Sequence, residues 1–219
     1  MISEIILLIT EWIGTVSFAI SGALVAIKHD LDFFGVATVG AITAIGGGIM
    51  RDIMIGNTPP KIFSDPIILL VAIVTAIIVF LITYFNRKSF TKLNAAFDTV
   101  NVLFDALGLA SFTIAGTEVA YLRGLGDNVL LVIVLGVITG VGGGILRDVL
   151  VNEKPYILTK HVYAIVSIVG CCLYYFISVR LNYKVLATVL VLIFTVFIRL
   201  LAAKFRWKLP KIKIDENDT

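Results

Sequence analysis

Gly46-Gly47-Gly48-Ile49-Met50-Arg51-Asp52 returns, with one change, as Gly142-Gly143-Gly144-Ile145-Leu146-Arg147-Asp148. Each copy closes a long apolar run, where it is locally unfavourable. Glycine costs about 1 kcal/mol relative to alanine inside a helix, because it orders a freer backbone. An arginine and an aspartate beside hydrocarbon are costlier still and usually face a partner or a wet cavity. The same unfavourable block in two matching places points to an internally repeated membrane protein whose working parts lie where the repeats meet.

Composition agrees. Of 219 residues, 59% are hydrophobic and 15% charged, and the mean hydropathy is +1.02. A soluble domain carries about 25% charged residues. Seven apolar runs are long enough to cross a bilayer at about 1.5 Å per helical residue: Ile5–Ile27, Phe33–Ile55, Ile67–Phe85, Thr99–Tyr121, Val129–Val151, Val162–Val179 and Val185–Ala203. Phe97 stands ahead of the fourth as an interfacial anchor. The expected fold is all-α and polytopic: one transmembrane domain over 1–203, then a tail over 204–219. Glu4 and Glu11 replace the basic start of a signal peptide, so the first run reads as a spanning helix. Cys171 and Cys172 read as small packing residues.

Seven spans put the termini on opposite sides. Arg51, Lys61, Arg123, Arg180 and Lys184 fall on the N-terminal side. Thirteen basic residues fall on the other: Lys28, Arg87, Lys88, Lys92, Arg147, Lys154, Lys160 and the six from Arg199 to Lys213. The basic excess marks the cytoplasmic side, giving an inner-membrane protein with its N-terminus outside. Around Trp207 the basic tail reads as an interface anchor able to touch anionic lipid, and its end, Asp215 to Asp218, reads as disordered.

Aligning the two motifs gives an offset of 96, which also sets Pro59 on Pro155. Upstream, an offset of 94 pairs Glu11 with Asp105, Gly14 with Gly108, Ser17 with Ser111, Phe18 with Phe112 and Gly22 with Gly116. The two-residue slip belongs in the loop after Ile27 or Tyr121. Repeat 1 covers about 4–86 and repeat 2 about 97–180. Each holds three spans, so the second enters the membrane upside down, and a seventh helix over 184–203 stands outside the repeat.

Two readings attach to each motif. Gly40, Ala44 and Gly48, like Gly136, Gly140 and Gly144, recur at the four-residue spacing of close helix packing. Alternatively the triplets break their helices and turn carbonyls toward a water-filled cavity suited to cations. The cation-binding candidates are then Thr43, Gly46, Gly47 and Gly48 with Thr139, Gly142, Gly143 and Gly144. Arg51, Asp52, Arg147 and Asp148 are either interfacial anchors or a gating network, with Arg51 meeting an acid of repeat 2 and Arg147 one of repeat 1. Glu11, Asp105 and Glu118 either snorkel to the interface or line charged vestibules. Ser17-Phe18 and Ser111-Phe112 are either packing or an apolar constriction. His29 and His161 lack metal-ligand spacing, no catalytic constellation is visible, and the glycine block is no phosphate loop.

The paired GGG-x-x-RD block, placed in the second and fifth of seven spans, resembles the prokaryotic branch of the TRIC (trimeric intracellular cation) channel family over roughly the whole chain. The resemblance implies a homotrimer with one pore per subunit, helices kinked at the glycines, and K⁺ or Na⁺ as permeating ion, with no cofactor and no nucleic-acid partner. Animal members carry a lipid-binding Lys-Glu-Val; here Gly116-Thr117-Glu118-Val119 puts Thr117 where that lysine stands, a departure that argues against inositol-lipid regulation. The alternative class is a secondary transporter of a small zwitterion such as an amino acid, whose carboxylate would meet half-helix N-termini and Arg51 or Arg147.

Overall fold

The computed structural model of the chain describes residues 1–86, 94–159, 162–205 and 207, the side chains of 94–97, 159 and 162 aside. Its helices run α1 (Ile2–Lys28), α2 (Phe33–Met54), α3 (Lys61–Ser64), α4 (Ile67–Phe85), α5 (Asn94–Leu122), α6 (Val129–Leu150), α7 (Tyr156–Thr159), α8 (Val162–Tyr174) and α9 (Lys184–Lys204). A π-helical turn over Tyr175–Arg180 extends α8. Among the described residues, seven helices are long and apolar enough to cross a membrane, and they coincide with the expected spans. The helix of the fourth span starts at Asn94 rather than Thr99. The extension takes in the charged Asp98, which pairs with Lys28 at 2.8 Å, and a run of apolar residues stops at such a charge. Phe97 as an anchor, Arg87, Lys88, Lys92, Lys160, His161 and the tail beyond Trp207 lie outside the described residues, as does Arg206.

Local geometry fixes the repeat residue by residue. Asp30 (φ 56°) and Gly124 (φ 74°) both turn in the left-handed region, and so do Gly56 (φ 72°) and Asn152 (φ 57°). The first pair keeps the offset of 94 and the second that of 96. Between them, Asp32 caps α2 by accepting from the Gly35 N–H at 2.8 Å, and Asn128 caps α6 by accepting from Leu131 at 3.1 Å. Such caps satisfy backbone donors that a helix start leaves unpaired. The two-residue slip therefore lies between Asp30 and Asp32, against Gly124 and Asn128, in the loop where the sequence puts it.

α1, α2, α5 and α6 form the centre, each repeat supplying two helices. α4 packs on α1 and α2, and α8 packs correspondingly on α5 and α6. α9 lies against α5 and α8 with no counterpart in repeat 1, so it is the helix outside the repeat. Because the chain reverses at each span, α1 begins and α2 ends at one membrane face, here the first face. α5 begins and α6 ends at the other, the second face. The fold is a seven-helix polytopic membrane fold with an inverted three-plus-three repeat.

A glycine crossing between two charge clusters as candidate functional site

At the centre α2 and α6 cross backbone on backbone. A methyl group at Gly47 would overlap the Thr139 carbonyl oxygen, and one at Gly143 would overlap that of Thr43. The two contacts are the same contact, exchanged by the pseudo-twofold axis. Gly142 leaves only 2.8 Å from its missing Cβ to Met50 Sδ. Glycine is needed here because any side chain would hold the helices apart.

This corrects the expected helix breaks. α2 and α6 run unbroken through Gly46, Gly47 and Gly48 and through Gly142, Gly143 and Gly144. Thr43 and Thr139 are fully buried, and each hydroxyl donates to the carbonyl four residues back, Val39 or Leu135, at 2.6 Å. The carbonyls expected to face water instead face the opposing helix. Close packing of two smooth helix faces removes the space that an unwound, hydrated turn would need.

Phe18 and Phe112 meet beside the crossing, ring centroids 5.3 Å apart. Each ring lies over the glycine that the repeat assigns to its partner. Phe18 sits on Gly108, and Phe112 carbons come within 3.0 Å of where a Gly14 side chain would begin. Both rings are buried, as are Ser17 and Ser111, whose hydroxyl oxygen has no partner among the described residues. The two rings paired from sequence thus meet, each with a buried serine before it in the chain.

The charges divide between the faces. At the first, the Arg51 guanidinium donates to Asp52 at 2.8–2.9 Å and lies 3.8 Å from Glu11, which also meets Lys61 Nζ at 3.1 Å. At the second, Arg147 donates to Asp148 and Asp105, each at 2.8 Å, and Arg199 of α9 holds the other Asp105 oxygen at 2.8 Å. Asp52 and Asp148 also cap the short helices after them, accepting from Lys61 N–H at 2.9 Å and Tyr156 N–H at 2.8 Å. The expected pairing across repeats is corrected: each arginine uses acids of its own repeat. Inversion is the reason, since it sends the acid at the start of α1 and the one at the start of α5 to opposite faces. Ser21 of repeat 1 reaches into the second-face cluster, its Oγ accepting from Arg147 Nη1 at 2.7 Å.

Glu118 belongs to neither cluster. It is buried, accepts from the Tyr174 hydroxyl at 2.9 Å, and pairs with Lys184 at 2.8 Å. Lys184 in turn reaches Ser3 Oγ and lies over the Tyr121 ring at 4.1 Å. That network ties the end of α5 to α1, α8 and α9. Lys61, Arg199 and Ser21 join these clusters without being among the residues singled out from sequence. Of these only Arg199 carried a signal, being an arginine inside an apolar run.

A cavity of about 50 Å³ opens beside the first-face cluster, walled by Glu11, Thr15, Arg51, Asp52 and Lys61 and ending on Phe112. At the second face the repeat mates of Thr15 and Lys61, Leu109 and Ile157, belong to an apolar cluster. Leu109, Val141 and Tyr163 form a buried cluster there, with Ile157 packed on it.

A family described as "Glycine transporter" matches residues 8–84 and 102–179, one block for each repeat, leaving α9 outside. The inner membrane protein YadS of Escherichia coli K12 is 38% identical over 94% of this chain and 95% of its own. A solved prokaryotic TRIC channel, crystallised in 0.5 M KCl, is 35% identical, covers 94% of this chain and 100% of its own, and superposes with a TM-score of 0.81. The chain belongs to the prokaryotic branch of the TRIC family. The TRIC orthologue from Rhodobacter sphaeroides, 27% identical, covers 92% of this chain and 98% of its own with a TM-score of 0.80. These TRIC structures are channels rather than enzymes, and the relatives are membrane proteins. In this TRIC chain the glycine crossing and the phenylalanine pair belong to the four central helices, with one charge cluster toward each face.

Proposed function

We propose that this TRIC protein is a monovalent-cation channel, conducting K⁺ and also Na⁺, with a pore through each subunit of a homotrimer. The observation that carries the reading is a cavity with Glu11, Thr15, Arg51, Asp52 and Lys61 in its wall at one face and Phe112 beside the glycine crossing, in the fold of a solved TRIC channel. Conduction runs between α1, α2, α5 and α6. The gate is the point where α2 and α6 touch through Gly47 and Gly143, next to Phe18 and Phe112. Both arginines are neutralised by neighbouring carboxylates, which a cation path requires because a bare guanidinium in the pore repels cations. The protein resides in the inner membrane with its N-terminus outside and its basic C-terminal end among anionic lipids, following the asymmetry of lysine and arginine.

A second reading, transport of a small zwitterion, is favoured by one observation, the "Glycine transporter" description of the matching family. Turnover separates the two. Purified protein in planar bilayers with KCl on both sides is expected to give discrete unitary current steps. Saturable glycine uptake into proteoliposomes without unitary current would replace the channel with a transporter. For the assembly, native mass spectrometry in mild detergent is expected to give a trimer mass. Only monomer or dimer under conditions that retain bound lipid would remove the trimer from the proposal.

A further inference from the structure

The two halves differ most at their acids. Asp105 is closed off by two guanidiniums at 2.8 Å. Its mate Glu11 has Arg51 at 3.8 Å and Lys61 at 3.1 Å, and the Lys61 side chain is 49% exposed. Repeat alignment sets Thr15 against Leu109 and Lys61 against Ile157. Repeat 2 has apolar residues at both positions and a packed interior. Repeat 1 has polar ones and a cavity.

Two features of that cavity point to a ligand. Thr15 lines it, is 1% exposed, and its hydroxyl oxygen has no hydrogen-bond partner among the described residues. Thr10, Thr43, Thr117 and Thr139 all spend their hydroxyls on the carbonyl four residues back. Leaving a buried hydroxyl unmatched is unfavourable, so such a group normally answers to something. The second feature is charge. Glu11, Asp52, Asp65, Arg51 and Lys61 around the cavity sum to minus one, and to minus two once Lys61 swings away. Glu11 and Thr15 are four residues apart and share one helix face.

We propose that the Glu11 carboxylate and the Thr15 hydroxyl form a binding site for a compact monovalent cation, an alkali ion or a primary ammonium group. Lys61 occupies it as a tethered stand-in. A lysine ammonium is itself a compact charge on a flexible stem, so it can leave when a free cation arrives and return when that cation moves on. The site's use in conduction rests on the channel reading, but binding does not require current.

The test is cation-dependent stabilisation of the full chain in zwitterionic nanodiscs. The melting temperature is followed as KCl replaces N-methylglucamine chloride at constant ionic strength. Lys61→Gln keeps the stem and a polar end while removing the competitor. A site mostly occupied by its own lysine binds more weakly in proportion to the free fraction, so the half-saturating K⁺ concentration is expected to fall about tenfold in this variant. Adding Thr15→Val to Lys61→Gln should raise it again. Methylammonium should act like K⁺ if an ammonium group is accepted, and its failure would confine the site to alkali ions. An unchanged half-saturation in Lys61→Gln, or stabilisation by glycine and not by K⁺, overturns the proposal. Cation binding with no current in bilayers would sink the channel reading and leave the site standing.

Discussion

Arg147→Ala is expected to destabilise the folded protein by about 3–5 kcal/mol, the usual consequence of removing one partner from a buried ion pair. Arg147 is fully buried and touches Asp105, Asp148 and Ser21 at once. Without it Asp148 loses its cation, Asp105 retains only Arg199, and the space left is too enclosed for bulk hydration. Arg51→Ala should have a smaller effect. Glu11 keeps Lys61, and the adjoining cavity lets water reach the carboxylates. Arg123, exposed and bonded to Asn57 at 3.1 Å, provides the surface comparison, where loss of a polar contact changes stability by about 0–1 kcal/mol. Thermal unfolding in one detergent should rank the variants Arg147→Ala, Arg51→Ala, Arg123→Ala from most to least destabilised. Equal melting temperatures for the first and last would reduce Arg147 to an interfacial anchor. Since the clusters lie at opposite faces, the two motif arginines should also skew inward and outward current in opposite senses.

Neighbouring glycines should respond in opposite directions. Gly47→Ala and Gly143→Ala each push a methyl into a backbone carbonyl of the crossing helix, which cannot rotate aside as a side chain can. Overpacking of this kind costs about 1–3 kcal/mol per site and sometimes more. The double variant should lose less than the sum, because the first methyl already separates the helices and the sites share one contact. At Gly48 the nearest atom is Arg51 Nη2, 3.8 Å from the position of a new Cβ. Gly48→Ala should therefore stabilise by about 1 kcal/mol through helix propensity alone. Melting curves of the single variants read this directly. A neutral Gly47→Ala would mean that the helices do not approach so closely.

Much of this architecture was legible because it rests on order along the chain. Apolar run length marks spans, an odd number of spans per repeat forces inversion, and the pairs Glu11–Asp105, Phe18–Phe112 and Gly47–Gly143 lie where the offsets put them. What each residue touches was less legible. GGG in a helix is compatible with unwinding and with close approach, and the outcome depends on a second helix nearly a hundred residues away. The partners of Arg51 and Arg147 depend on which face each acid reaches, which follows from inversion only after helix directions are traced. Arg199, toward the end of the last span, enters the sequence reading only as part of the basic excess on that side. Its place against Asp105 is set by how α9 packs, and no periodicity reports that.

The reciprocal seating of Phe18 on Gly108 and Phe112 on Gly14 works like two teeth engaged in each other's notch. Sliding α1 along α5 in either direction lifts both rings out of their recesses at once and drives them against the next turn. Close-packed interiors resist such gradual displacement and move between discrete arrangements. Those two helices therefore act as a fixed spindle, and in the channel we propose the opening motion is left to α2 and α6 at their glycine contact.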